Sequence, residues 1–304
     1  MGLEELIPWP EPVVLAEVLE DIVRTLALYV AADPVIILTA ALWAAHAHIL
    51  DHIGVSPRLA AQAPGPNCGK TITMEAIGNL VPRPLAASSI TPAAVFRVIE
   101  NSKPTLLLDE ADQMLADRSS PLVAILNSSH RKSSAFVMRA EEVLPGQFQP
   151  VRFSTWTAVM FAGIRELPPT LQDRSIVLYL RRAKPGEVEK HLRDGKCEAL
   201  AECGQKLARW ADDLKAFPDV KLPDGLTNRV GDNWRPLLAI AELASGDWPD
   251  RAMAAALAAA RHQEKGLIGE LLADIKLVFG ERDQILSQEL VDGLIALDEK
   301  PYGE

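Results

Sequence analysis

Residues 64–71 constrain the fold of this chain more than any other segment. They read Pro-Gly-Pro-Asn-Cys-Gly-Lys-Thr and lead into residues 70–80, which we predict to be helical. Such a loop can curl so that its backbone N–H groups point at phosphate oxygens, with the N-terminus of a helix behind them. Lys70 would reach the β- and γ-phosphates of ATP, and the Thr71 hydroxyl would bind Mg²⁺. The residues that would surround the phosphates are Gly65, Pro66, Asn67, Cys68 and Gly69.

Pro64 departs from the usual loop motif, which begins with glycine. A Gly-Pro turn before an ordinary helix is therefore an alternative at this position. Residues 105–108 weigh against it, because they form an apolar run typical of a buried parallel strand and are followed by Asp109 and Glu110. Two carboxylates at the end of a buried strand are costly unless they have a chemical role.

Parallel α/β sheets place their sites beyond the carboxyl ends of the strands, where these two acids would lie. In that setting Asp109 would hold Mg²⁺ through water, and Glu110 would polarise the attacking water. Loop and acids together predict nucleotide hydrolysis, with ATP and Mg²⁺ as ligands.

The succession of strand-like and helix-like segments predicts an α/β fold with a parallel sheet. Beyond residue 182 only helical patterns follow. We expect four parts: an N-terminal helical collar (1–55), a core with the phosphate loop (56–182), a helical lid (183–262), and the start of a small helical, winged-helix-like module (263–304).

A predicted hairpin, with strands at 134–140 and 151–156, carries most of a group of basic residues. The group comprises Arg131, Lys132, Arg139 and Arg152. The whole chain has a net charge of −10, so any nucleic-acid binding must come from such a local surface. The sequence leaves two interpretations open: ordinary solvated charges, or contacts to the backbone of single- or double-stranded DNA.

Composition favours a cytoplasmic protein without a membrane segment. The three cysteines lack C-x-x-C spacing, and Glu5 stands where a signal peptide would be basic. Residues 34–50 are apolar but contain His46 and His48, so we interpret them as a buried helix.

Several motifs resemble those of a group of prokaryotic mobile-element and phage ATPases whose C-terminal half is catalogued as domain of unknown function 3631. The resemblance extends over nearly the whole chain, and that family also tends to replace the first loop glycine with proline. The segments that carry it include Cys68-Gly69-Lys70-Thr71, Leu108-Asp109-Glu110-Ala111-Asp112, His130-Arg131, Asp173-Arg174-Ser175-Ile176 and Asn233-Trp234-Arg235-Pro236-Leu237.

The resemblance implies an AAA+-like P-loop NTPase that assembles into a homo-oligomeric ring, with a hexamer expected. Arg174 lies where related helicases carry an arginine finger, which would reach the γ-phosphate bound by a neighbouring subunit. Arg235 resembles a lid arginine that senses the nucleotide of its own subunit. A surface salt bridge is the alternative role for each arginine.

The resemblance also implies an ATP-driven motor on DNA, a helicase or translocase for replication of a phage or mobile element. An AAA+ switch or defence component that assembles with protein partners is the alternative; a vestigial scaffold is disfavoured by Lys70, Asp109 and Glu110. The usual polar residue is absent near Phe161 to Ile164, so either the water is positioned otherwise or hydrolysis is slow. Family members also usually continue beyond the position of Glu304.

Overall fold

We describe the protein from a computed structural model. The described residues are 3, 5–63, 65–144, 146–164, 167–188, 190, 192, 194–226, 228–280, 282 and 284–297, without the side chains of 143, 144, 262–271 and 273. Pro64 and Pro145, which the sequence analysis placed in the phosphate loop and the hairpin turn, lie outside them.

A five-stranded parallel sheet in the order β2-β3-β6-β1-β7 forms the centre of the protein. The chain moves from β1 to one side of the sheet, returns through β3 and β6, and then passes over β1 to reach β7. The order therefore reverses at β1, and the crevice beyond its carboxyl end is the expected binding place in such a sheet. The strands are β1 (Arg58–Gln62), β2 (Pro84–Ala87), β3 (Thr105–Leu108), β6 (Val159–Gly163) and β7 (Ser175–Tyr179).

Helices cover both faces of this sheet. On one face α4 and α6 enclose a core that includes Leu106, Leu108 and Phe161. On the other face α3 packs against the middle strands, while α2 and α9 pack against β7. The helices are α1 (Leu15–Ala27), α2 (Pro34–His48), α3 (Lys70–Gly78), α4 (Pro92–Ser102), α5 (Ala111–Met114), α6 (Pro121–Ser128), a 3₁₀ turn (Lys132–Ser134), α7 (Pro169–Gln172), α8 (Glu198–Asp213), α9 (Asn228–Ala244), α10 (Trp248–Phe279) and α11 (Ser287–Ile295).

The expected collar helices form as α1 and α2. Helix α2 is apolar on every side and is buried from Ile37 to Ala47, because α1, α8 and α9 surround it. It ends at His48, two residues before the end of the apolar segment 34–50. None of the described helices is long and apolar enough to cross a membrane.

The antiparallel hairpin formed by β4 (Phe136–Leu144) and β5 (Gln147–Ser154) is longer than predicted. It packs on α4 and α6, and the Phe96 and Phe153 rings lie 4.9 Å apart between centroids. The hairpin is thus fixed to the core of the sheet at its base.

The chain divides into two compact units, Met1–Ala256 and Leu257–Glu304. The first contains the sheet, the hairpin and α1 to α9. In the second, Gly293 of α11 lies so close to Val278 that an added Cβ would be 2.5 Å from its Cγ1. The boundary expected between the lid (183–262) and the small module (263–304) falls within α10, which is a single helix from Trp248 to Phe279.

Candidate functional site

The predicted phosphate loop connects the carboxyl end of β1 to the first residue of α3. Asn67 and Gly69 adopt positive φ angles of 59° and 79°, and Gly69 caps the helix that begins at Lys70. A Cβ added to Gly65 or Gly69 would meet nothing within 4 Å, so both positions border open space. The Lys70 Nζ donates a hydrogen bond of 2.9 Å to the Gly65 carbonyl, which places the ammonium across this loop.

A side-chain contact connects the loop to the end of β3, where Asp109 and Glu110 follow the strand. The Thr71 Oγ1 donates to the Asp109 Oδ2 at 3.3 Å, and Asp109 is also held by its own N–H, which donates to the Ala87 carbonyl at 3.0 Å. A hydroxyl and a carboxylate at this separation are oxygen ligands of the kind that Mg²⁺ takes beside substrate phosphates. The donor set therefore fits Mg²⁺, as the sequence analysis expected for these two residues.

Glu110 follows directly, at the carboxyl edge of the sheet. Its side chain is exposed and its φ is 51°, a left-handed conformation that a non-glycine residue adopts only at a cost of roughly 1–3 kcal/mol. Its backbone N–H donates to the Asp109 Oδ1 at 2.9 Å. The sharp turn between β3 and α5 thus holds both acids at the mouth of the crevice.

Asp112 belongs to this edge as well, and the sequence analysis did not assign it a role. Its Oδ1 lies 2.7 Å from the position of a Cβ added to Gly163, the last residue of β6, and accepts a hydrogen bond of 3.4 Å from the Ile164 N–H. The carboxylate thus occupies the space where a side chain of β6 would project. Two features of the sequence could have indicated this role for Asp112. The strand β6 lacks the usual polar residue, and an acid stands at the fourth position of Asp109-Glu110-Ala111-Asp112.

Arg174 lies at the opposite edge of the sheet from the loop. Its carbonyl accepts from the Arg58 N–H at 2.9 Å, so it stands beside the amino end of β1, whereas the loop follows Gln62 at the carboxyl end. The length of β1 separates the two ends by about 13 Å. The Nη1 of Arg174 donates to the Thr170 carbonyl at 2.5 Å. Burial, followed by the charge of Arg229, lowers the pKa of Arg174.

Arg235 is held by a segment that precedes α9. Its Nη1 donates to the Val220 carbonyl at 2.8 Å and lies 3.3 Å from the Asp219 Oδ1. Among the contacts of the described residues, none joins Arg235 to the phosphate loop.

The predicted basic group does not form one surface. Arg131 forms an ion pair with Asp232, and the Lys132 Nζ donates to the Asp51 carbonyl at 2.9 Å. Arg139 and Arg152 lie on opposite faces of the hairpin, because residues alternate between the faces of a strand and Arg152 pairs with Met138.

The guanidinium groups of these two hairpin residues stack on aromatic rings. That of Arg139 lies 5.1 Å from the centroid of Phe96, and that of Arg152 lies 4.0 Å from the centroid of Phe136. On the same face as Arg152, Phe148 near the turn is 64% exposed.

Two comparisons with known proteins found similarities, each over part of the chain. Residues 179–304 match the family model described as protein of unknown function (DUF3631). A protein of Saccharopolyspora erythraea named "Uncharacterized 28.9 kDa protein in xis 5'region" is 35% identical over 133 residues, which are 40% of this chain and 49% of the relative. The chain thus spans about half the length of that relative, and the family match begins within β7, after the phosphate loop and both acids. Residues 179–304 carry a DUF3631 domain.

Proposed function

We propose that this protein is an AAA+-like P-loop ATPase that works as an oligomeric motor on DNA. The observation that carries the ATPase assignment is the 3.3 Å contact between Thr71 and Asp109, which joins a glycine loop to an acid-tipped strand. The strand order supports it, because β1 and β3 end on the same side of the sheet with only β6 between them.

Each residue of this edge has a distinct part in the proposed reaction. The loop N–H groups and Lys70 bind the β- and γ-phosphates, and Thr71 and Asp109 hold Mg²⁺ directly and through water. Bound Mg²⁺ would neutralise the charge on the phosphate oxygens. Glu110 accepts a proton from the attacking water, and its exposed position at the mouth of the crevice leaves room for that water.

We place Arg174 in the site of a neighbouring subunit. In one subunit the Arg174 Nη1 donates to the Thr170 carbonyl, and no contact among the described residues joins this side chain to the phosphate loop. A heterologous interface that brings the amino edge of one sheet to the carboxyl edge of the next would complete the site and generate a ring, with a hexamer expected.

The DNA substrate and the mobile-element setting are supported by two further observations. The relative from Saccharopolyspora erythraea is named for its position beside xis, a name used for excision genes, which supports a mobile-element setting for this chain. Phe148 and Arg152 on one hairpin face combine an exposed aromatic ring with a cation, as in surfaces that bind single-stranded nucleic acid.

A second candidate is an ATP-dependent switch that assembles with protein partners and does not act on DNA. The observation that favours it is the dispersal of the basic group, since Arg131 and Lys132 contact acidic residues and the other two members lie on opposite faces.

The ATPase assignment is tested with Glu110→Gln, which keeps the shape of the side chain and removes its basicity. We expect ATP binding to be retained and turnover to fall on the order of 10²-fold to 10⁴-fold. Glu289→Gln, on the exposed surface of α11, is the matched control. Wild-type turnover in Glu110→Gln would show that the catalytic base is misassigned.

The two candidates are separated by DNA affinity. Fluorescence anisotropy of labelled single- and double-stranded DNA, with ATP bound and across a salt series, should show affinity that falls steeply with salt. Absence of any salt-dependent affinity would favour the switch.

A further inference from the structure

A buried asparagine of α9 holds the segment that carries Arg174. Asn233 is 2% exposed, and its Nδ2 donates a hydrogen bond of 3.0 Å to the Asp173 carbonyl. Its Oδ1 lies 2.8 Å from the Nε2 of His130, which follows α6. The side-chain amide of Asn233 therefore connects Asp173, the residue before Arg174, to His130, which follows α6.

The directions of these hydrogen bonds are fixed by chemistry. A carbonyl oxygen can only accept, so the Asn233 amide group must point its NH₂ at Asp173, and its oxygen must then accept from His130. His130 is accordingly the neutral tautomer with its proton on Nε2. Burial and then the charge of Arg58 lower the pKa of His130 to about 3, which keeps the ring neutral at physiological pH.

Two ion pairs connect the same segments as the hydrogen bonds of Asn233. The Arg229 Nε is 2.7 Å from the Asp173 Oδ2, and Arg131 pairs with Asp232. Each pair is partly exposed and is worth only about 0–1 kcal/mol alone. Both nevertheless join the first turns of α9 to the same two segments that Asn233 connects.

The other side of the Arg174 segment is fixed by β1, through the hydrogen bond from the Arg58 N–H to the Arg174 carbonyl. Arg58 is itself buried and donates to the Leu126 carbonyl and the Ser129 Oγ. The backbone of residues 173–174 is thus held between the sheet and α9, while the Arg174 side chain is partly exposed.

We propose that Asn233 is a positioning residue for Arg174, and that α9 sets where this arginine meets the neighbouring site. The inference rests on the proposed function, because it takes Arg174 as the residue that completes another subunit's site. Asn233 lies within the DUF3631 domain, so this contact gives that domain a part in catalysis by the core.

Asn233→Asp tests the proposal with the smallest change of shape. The aspartate keeps an oxygen that accepts from His130, but it loses the donor and places a second oxygen against the Asp173 carbonyl. Since a displacement of about 1 Å can cost up to 10²-fold in rate, we expect kcat to fall on the order of 10-fold to 10²-fold. The affinity and KM for ATP should not change, because the phosphate loop lies at the other edge of the sheet.

Asn228→Asp is the matched control, since Asn228 is an exposed residue at the start of the same helix. Circular dichroism and urea unfolding check the fold of both variants. If Asn233→Asp does not fold, the variant Arg229→Ala is used in its place. Arg229 is partly exposed, and its loss removes the ion pair that holds the Asp173 side chain.

Mixing two variants distinguishes a defect in the position of Arg174 from a general loss of structure. Asn233→Asp supplies an intact phosphate loop and Lys70→Ala supplies an intact Arg174, so a 1:1 mixture should regain turnover at roughly a quarter of the interfaces. A mixture of Asn233→Asp with Arg174→Ala should regain none, because both lack the same function.

Two results would overturn the inference: folded Asn233→Asp with the turnover of Asn228→Asp, or no recovery with Lys70→Ala although Arg174→Ala does recover. If Arg174→Ala also fails to recover with Lys70→Ala, the shared site of the proposed function is itself wrong.

Discussion

Gly163→Ala is the substitution whose effect follows most directly from the structure. The added Cβ would lie 2.7 Å from the Asp112 Oδ1 and 3.3 Å from its Cβ and Cγ. That is about 0.7 Å short of ordinary van der Waals contact with the oxygen. Since Gly163 has no positive φ, alanine should fit its backbone conformation, and the cost should come from this contact alone.

The magnitude can be bounded from both sides. Overpacking a tight site costs about 1–3 kcal/mol, whereas replacing glycine by alanine in a compatible conformation stabilises by about 0.4–1 kcal/mol. In an Asp112→Ala background the 2.7 Å contact with the carboxylate is gone and only the 3.3 Å contact with the Cβ of residue 112 remains, so Gly163→Ala should cost much less than in the wild type. We therefore expect a coupling energy of about 1–3 kcal/mol between the two positions.

Urea unfolding of the wild type, both single variants and the double variant measures this coupling. Turnover of the same four proteins tests the chemistry: we expect Gly163→Ala to be slow, because Asp112 is displaced at the edge that holds Glu110. An equal cost of Gly163→Ala in both backgrounds would show that the Asp112 carboxylate does not fill the space beside β6.

Two further predictions follow from buried and basic side chains. Burial lowers the pKa of His46 from 6.5 to about 3, so the unfolded chain binds the extra proton between these values and stability falls as pH drops through that range. His46→Leu should reduce this dependence by about 1.4 kcal/mol per pH unit in urea titrations. An unaltered slope in His46→Leu would contradict the assignment. The double change Arg131→Ala/Lys132→Ala should flatten the salt dependence of single-stranded DNA affinity, by a log–log slope of about 0.7 for each phosphate that is no longer neutralised. ATP hydrolysis in the absence of DNA should be retained, although Arg131 forms an ion pair with a residue of α9. If the salt dependence of DNA affinity does not change, neither residue belongs to the DNA-binding surface.

Local sequence patterns were sufficient for the framework of the first unit. The strand Thr105–Leu108 follows from its uninterrupted apolar run. Helix α4 begins at Pro92, and the Thr91 Oγ1 caps it by accepting from the Ala94 N–H at 3.3 Å; a threonine followed by proline is a local start signal for a helix. The loop and Asp109 were also placed together correctly, because parallel strands end at a common edge.

Contacts between distant segments could not be predicted from such patterns. Asp232 stands 101 residues after Arg131, and no local signal indicates that the two side chains pair. Helix α9 also continues through Pro236, because packing against α2 and β7 outweighs the cost of a proline in its interior.

The hairpin illustrates a third limit. The sequence shows that Arg139 and Arg152 are both basic, but the pairing register decides which face each one occupies. Counting the charges in a segment therefore does not show which of them share a face.

The placement of the phosphate loop and Arg174 at opposite ends of β1 has a consequence for how activity depends on abundance. Under the proposed mechanism a solitary chain holds two halves of different sites and completes neither, so the rate per chain would rise with concentration until association saturates. Such an enzyme would be silent when newly made and scarce, and would begin to consume ATP only after enough copies had accumulated to meet one another.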